Sequence, residues 1–133
     1  MTTVSDLMTP DPVVTTADTP LARVMSVFDR RRFRHLPVVD DRGVLVGVLS
    51  QRDVVKAAYG VTVITDAVQM TATVGDVMSK RLTTASPGAD AMAVARHMLQ
   101  EKHGCLPVVD DDGKVVGIMT EADFVRAWMR AEP

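Results

Sequence analysis

The sequence predicts an α+β fold built twice, each half running helix, strand, helix, strand, strand, helix. Three observations carry that expectation. Sequence blocks recur at a constant offset of 70 residues: His35-Leu36-Pro37-Val38-Val39-Asp40-Asp41 returns as Cys105-Leu106-Pro107-Val108-Val109-Asp110-Asp111. Two apolar runs in each half flank an Asp- and Gly-containing turn. Apolar residues before and after each pair of runs keep helical rather than alternating spacing. A fixed offset without gaps means that one supersecondary unit is made twice, and such units complete their core against one another.

The elements follow in order. Thr3-Val4-Ser5-Asp6 and Thr73-Val74-Gly75-Asp76 each set a Thr cap three residues before an acid, opening a short helix. Val13-Val14-Thr15-Thr16 and Leu82-Thr83-Thr84 are rich in β-formers and predict a strand in each half. Thr19 can cap the next helix, and Pro20 sits where its missing N–H costs nothing. Leu21, Val24, Met25 and Phe28 then share one helical face, as do Ala91, Val94, Ala95 and Met98. Leu36–Val39 and Val44–Leu49 form a hairpin around Asp40-Asp41-Arg42-Gly43, with Gly supplying a positive φ. Pro37 has no ladder donor and belongs at a strand start or an edge. A last helix begins near Ser50 and carries Val54, Val55, Ala57 and Ala58. Its counterpart begins near Thr120 and carries Phe124, Val125, Ala127 and Trp128.

The expected organisation is one motif over residues 1–60, a linker over 61–72 and a second motif over 73–133. Val61, Val63 and Ile64 make the linker apolar enough to pack on the body. The chain has 133 residues, and halves of this size bury little surface alone. A hydrophobic content of 47% argues against disorder, and a net charge of −2 argues against a polyanion binder. No apolar run approaches a membrane span, and no secretory pattern opens the chain. The single Cys precludes an internal disulfide framework, so a cytoplasmic protein is expected.

The tandem pattern LPVVDD followed by Gly47-Val48-Leu49-Ser50-Gln51-Arg52-Asp53, and again by Gly117-Ile118-Met119-Thr120-Glu121-Ala122-Asp123, resembles a pair of cystathionine-β-synthase (CBS) motifs. The likeness covers nearly the whole chain. It implies a pseudo-twofold module with packed sheets, outer helices and two clefts in which many family members bind adenine nucleotides. It also implies pairing into a homodimer.

The tetrads Ser50-Gln51-Arg52-Asp53 and Thr120-Glu121-Ala122-Asp123 have two compatible readings. Ser/Thr-x-x-acid at a helix start is a capping box, although such boxes favour the longer Glu or Gln. A carboxylate can also hold the two hydroxyls of a ribose, and exposed helix N–H groups suit a phosphate. The resemblance implies the ribose role for Asp53 and Asp123, and a ribose or phosphate role for Ser50 and Thr120.

Arg30, Arg31 and Arg32 read as cations at a helix C-terminus. Arg34 and His35 precede the LPVVD strand, where the resemblance implies side chains facing phosphate, and Arg offers a planar fork for it. The second half has Gly104-Cys105 there, so the two clefts are expected to differ in phosphate affinity. The resemblance further implies that the loop after each short helix meets the tetrad of the other half. Ser79 and Lys80 would then join Ser50, Asp53, Arg34 and His35, while Thr9 would join Thr120 and Asp123. Val13 and Leu82 would flank the adenine.

Other candidates are weaker. His97, His103 and Cys105 match no compact zinc spacing, and Cys105 reads as a small buried side chain. Trp128 and Met129 read as core or interface, and Asp40-Asp41 and Asp110-Asp111-Asp112 as turn acids. No metal and no resident cofactor are expected. The leading functional reading is a regulatory module that senses an adenine nucleotide, with AMP, ADP, ATP and S-adenosylmethionine left open, and signals to a partner protein. The alternative is a ligand-free assembly module whose tetrads only cap helices. Catalysis is not expected because no nucleophile with a positioned base accompanies the duplicated polar residues. Nucleic-acid binding is disfavoured by the charge.

Overall fold

The computed structural model describes residues 1–31, 34–58 and 72–131. In chain order the elements are α1 (Val4–Leu7), β1 (Thr9–Pro10), α2 (Leu21–Arg31), β2 (His35–Val39), β3 (Leu45–Ser50) and α3 (Gln51–Ala58). They continue with α4 (Val74–Val77), α5 (Ala91–Glu101), β4 (Cys105–Val109), β5 (Val115–Thr120) and α6 (Glu121–Ala131). The α+β class and the duplicated helix–hairpin–helix order hold.

The chain forms two compact units, and they do not coincide with the sequence repeats. One is the contiguous stretch Val13–Leu82; the other is split, joining Met1–Pro12 to Thr83–Pro133. Each short helix is thus built into the unit of the opposite repeat.

In the contiguous unit β2 and β3 pair antiparallel, with His35 opposite Ser50 and Leu36 opposite Leu49. Asp40 closes the hairpin, its Oδ1 accepting from the Arg42 N–H at 2.9 Å and the Val44 N–H at 3.0 Å. Gly43 takes φ 84°, a conformation that a side chain would oppose. The core joins Leu21, Val24 and Phe28 of α2 to Leu36, Val38 and Leu49, with Val54 and Ala57 from α3 and Ala72 and Val74 from the α4 region. Pro37 lies mid-strand opposite Val48, yet no ladder bond is lost. Val48 turns its own N–H and C=O to Ser79, while the Pro37 carbonyl accepts from the Thr15 N–H at 3.0 Å.

The split unit repeats this plan. Its sheet order is β1-β5-β4, with Cys105 opposite Thr120 and Thr9 opposite Ile118. Asp110 closes the hairpin through the Asp112 and Lys114 N–H groups, and Gly113 takes φ 81°. Val4, Ala85, Met98, Leu106, Val108 and Met119 form its core. A paired thioether contact recurs: Met8 packs over Gly117, and Met78 over Gly47, where any Cβ would intrude.

Several local expectations need correction. The strand expected at Val13–Thr16 is cut to one bridging residue, Thr15 against Val38, and the one expected at Leu82–Thr84 does not form, the bridge falling on the next residue, Ala85, against Val108. Hydrogen bonds local to the chain stop them: Thr16 donates to the Asp18 carboxylate at 2.6 Å, and the Ala89 N–H folds back onto the Ser86 carbonyl at 3.1 Å. Conversely β1 was not expected, nor was the Ser79–Val48 bridge. Thr19 does not cap α2 but shares a hydrogen bond with Thr16 at 2.8 Å, and the Leu21 N–H reaches the Ala72 carbonyl. Met25 and Val55 flank the buried faces and are exposed. Val125, Trp128 and Met129 are also exposed, which removes Trp128 and Met129 from the core. The packed linker expected over 61–72 lies outside the described residues except for Ala72, which is buried. Arg32 also lies outside them, as do the side chains of Arg30, Arg31 and Ala58.

Candidate functional site

The first tetrad sits where strand becomes helix. Ser50 ends β3 and precedes α3, so its side chain lies over the unsatisfied N–H groups of the first turn. The bonds are reciprocal: the Asp53 N–H donates to Ser50 Oγ at 3.0 Å, and the Ser50 N–H donates to Asp53 Oδ2 at 3.0 Å. Asp53 Oδ1 has no hydrogen-bond partner among the described residues, and the side chain is only half-buried.

The hairpin register brings the basic pair to this corner. His35 is the direct cross-strand partner of Ser50, and the Gln51 N–H donates to the Arg34 carbonyl at 2.8 Å. Arg34 is exposed and His35 half-buried. Burial is the main force lowering the His35 pKa from its ordinary value; the Arg34 charge adds to that, and the Asp53 carboxylate opposes it. The ring is therefore biased toward its neutral form, which can both donate and accept.

Ser79 completes the corner from the chain after α4. It exchanges two backbone hydrogen bonds with Val48, at 2.9 and 3.0 Å, and its hydroxyl accepts from the Arg81 N–H at 3.3 Å. Arg34, His35, Ser50, Asp53 and Ser79 thus gather within the contiguous unit. Lys80, Val13 and Leu82 are exposed, and no hydrogen bond joins Lys80 to either tetrad among the described residues.

The second tetrad has the same backbone and a different state. The Thr120 N–H donates to Asp123 Oδ2 at 2.7 Å and the Thr120 hydroxyl to the same oxygen at 3.1 Å. Thr9 Oγ1 donates to Asp123 Oδ1 at 3.0 Å, and the Arg126 guanidinium pairs with that oxygen. Asp123 is 1% exposed. Thr9, Thr120 and Asp123 therefore meet inside the split unit, together with an Arg126 that the motif reading had missed. Its signal was present in the sequence, since an acid and an Arg three residues apart on a helix are neighbours.

The remaining candidates resolve simply. Cys105 occupies the place of His35 in the repeat; it is buried, and desolvation pushes its thiol up to about 12. His97 stacks on His103 with ring centroids 5.7 Å apart. Among the described residues no group of three His, Cys, Asp or Glu could hold a metal ion, and no helix is long and apolar enough to cross a membrane. A groove of about 390 Å³ in the split unit is lined by Thr83, Thr84, Ser86, Asp90 and His97 among others, and includes no tetrad residue.

Comparison with known proteins places this geometry. Residues 4–60 and 74–130 each match the CBS domain. An inosine-5′-monophosphate dehydrogenase of Mycobacterium bovis is 38% identical over 120 residues, covering 90% of this chain and 21% of that enzyme. The chain thus spans about a fifth of the dehydrogenases it matches. CBSX2, a CBS-pair protein of Arabidopsis thaliana, solved in complex with AMP, superposes with a TM-score of 0.89 at 30% identity over 100% of both chains. The CBS domain pair of protein MJ0100, in complex with 5′-methylthioadenosine and S-adenosyl-L-methionine, gives a TM-score of 0.84 at 27% identity over 99% of both chains.

Proposed function

The chain belongs to the CBS domain family, and from that premise we propose that it is a regulatory module that binds an adenine nucleotide or related adenosyl ligand at the Ser50–Asp53 corner. One observation carries the reading: among the described residues Asp53 keeps a carboxylate oxygen without a partner at a helix start, directly beside Arg34 and His35. A free carboxylate oxygen can accept from ribose hydroxyls, and the adjacent helix N–H groups and the exposed Arg34 fork suit phosphate. The AMP bound by CBSX2 and the adenosyl compounds bound by the MJ0100 pair support that ligand class.

The role is binding rather than catalysis, in the cytoplasm and as a homodimer. Ligand uptake shifts the population toward the arrangement that fits it, and a partner protein reads the change; couplings of about 1–3 kcal/mol are usual for such shifts. A thermal-shift panel of AMP, ADP, ATP and S-adenosylmethionine tests the reading. At a ligand concentration about a hundred times Kd the stabilisation is about 2.7 kcal/mol, a rise of several degrees in Tm. At least one compound should produce that rise, and Asp53→Ala should abolish it. A second reading, a ligand-free assembly module, draws on the buried Asp123, whose oxygens are fully used inside the protein. It predicts no shift with any of the four compounds.

A further inference from the structure

The two tetrads, equivalent by repeat, differ in the state of their acids. We propose that Arg126 is an intramolecular gate on Asp123, so that the chain takes its first nucleotide at Asp53 and a second only when Arg126 leaves. The inference rests on the nucleotide reading above and adds an order to it.

A carboxylate offers about four lone-pair positions. At Asp123 four donors occupy them: Thr9 Oγ1 and Arg126 on Oδ1, the Thr120 N–H and hydroxyl on Oδ2. No position remains for a ribose diol, and the acid is 1% exposed. At Asp53 the corresponding oxygen has no hydrogen-bond partner among the described residues. The repeat puts Lys56 where Arg126 stands and Ser79 where Thr9 stands. Neither hydrogen-bonds Asp53 among the described residues; the Ser79 hydroxyl instead accepts from the Arg81 N–H.

Of the four donors on Asp123, Arg126 is the one that can depart. The Thr120 groups belong to the start of α6, and Thr9 is held in the ladder of β1 with β5. The Arg126 side chain is 57% exposed, so water can solvate it as it swings away. Its departure frees one of the two positions on Oδ1, where Thr9 keeps the other, and leaves a carboxylate still positioned by Thr120.

Isothermal titration of the full chain with AMP tests the gate. The wild type should bind one AMP per chain with measurable affinity, and Asp53→Ala should lose it. Adding Arg126→Ala to Asp53→Ala should recover binding roughly tenfold or more tighter than Asp53→Ala alone, since charge-assisted pairs of this kind are worth about that much. Arg126→Gln, neutral, of similar length and still able to donate to Asp123, should act in the same direction, and a melting curve of each variant checks that the fold is kept. Two equal AMP sites in the wild type would overturn the gate. So would a double variant no better than Asp53→Ala, with wild-type binding intact, and that result would leave the nucleotide reading standing. Absence of heat in the wild type and in every variant would overturn both.

Discussion

Single residues show how a repeat can diverge without leaving its fold. His35 and Cys105 occupy one position of the duplicated hairpin, opposite Ser50 and Thr120 respectively. Cys105 is a buried thiol pushed up to about 12, far from the reactive thiolate range. His35 is held below its ordinary value of 6.5, chiefly by burial, so the folded chain resists the proton that the unfolded chain accepts. Stability from this residue is therefore present above 6.5 and is lost as pH falls toward the folded value. Melting followed from about pH 8 to about pH 5 should show Tm falling on the acid side, and His35→Gln should flatten that limb. An unchanged limb in the variant would assign the loss to other groups. Chemistry of this kind was partly legible: Ser50, Asp53, Thr120 and Asp123 declared themselves by spacing. The near-complete burial of Asp123 did not, because spacing and resemblance name its partners, Thr9 above all, without recording how far packing closes over the acid.

Elements were legible where local rules and tertiary packing agree. The Asp40 and Asp110 turns form as their residues dictate, down to the positive φ of Gly43 and Gly113. The stretches at Val13–Thr16 and Leu82–Thr84 were not legible, since β-forming residues cannot distinguish a strand from extended chain with a single bridge in it or next to it. The strand centre offers a sharper test. Gly47 and Gly117 are equivalent, but a methyl on Gly47 would meet the Ser79 carbonyl oxygen at 3.1 Å as well as the Met78 side chain. At Gly117 the obstacles are atoms of the flexible Met8 side chain. Overpacking of this order costs about 1–3 kcal/mol. Chemical denaturation should therefore find Gly47→Ala more destabilising than Gly117→Ala, with Met8→Ala relieving much of the smaller loss.

For the molecule as a whole, the repeat in the sequence and the unit in space have different borders. Contiguous Val13–Leu82 contains a hairpin, both flanking helices and the α4 segment that closes its core. Residues 1–60 lack Val74 and Ala72 of that core and carry Val4, which is fully buried among Leu106, Val108 and Met119. Expressed alone, residues 13–82 should melt cooperatively, whereas 1–60 should not; calorimetry of the two fragments decides it. Spacing and composition do not announce this exchange, because each short helix reads as the first element of its own half; only the resemblance, which sent the loop after each short helix to the other half, pointed toward it. Inheritance of mutations should obey the spatial border. A damaging change at Val4 should find its suppressors more than a hundred positions away, around Met119, and not among its neighbours along the chain.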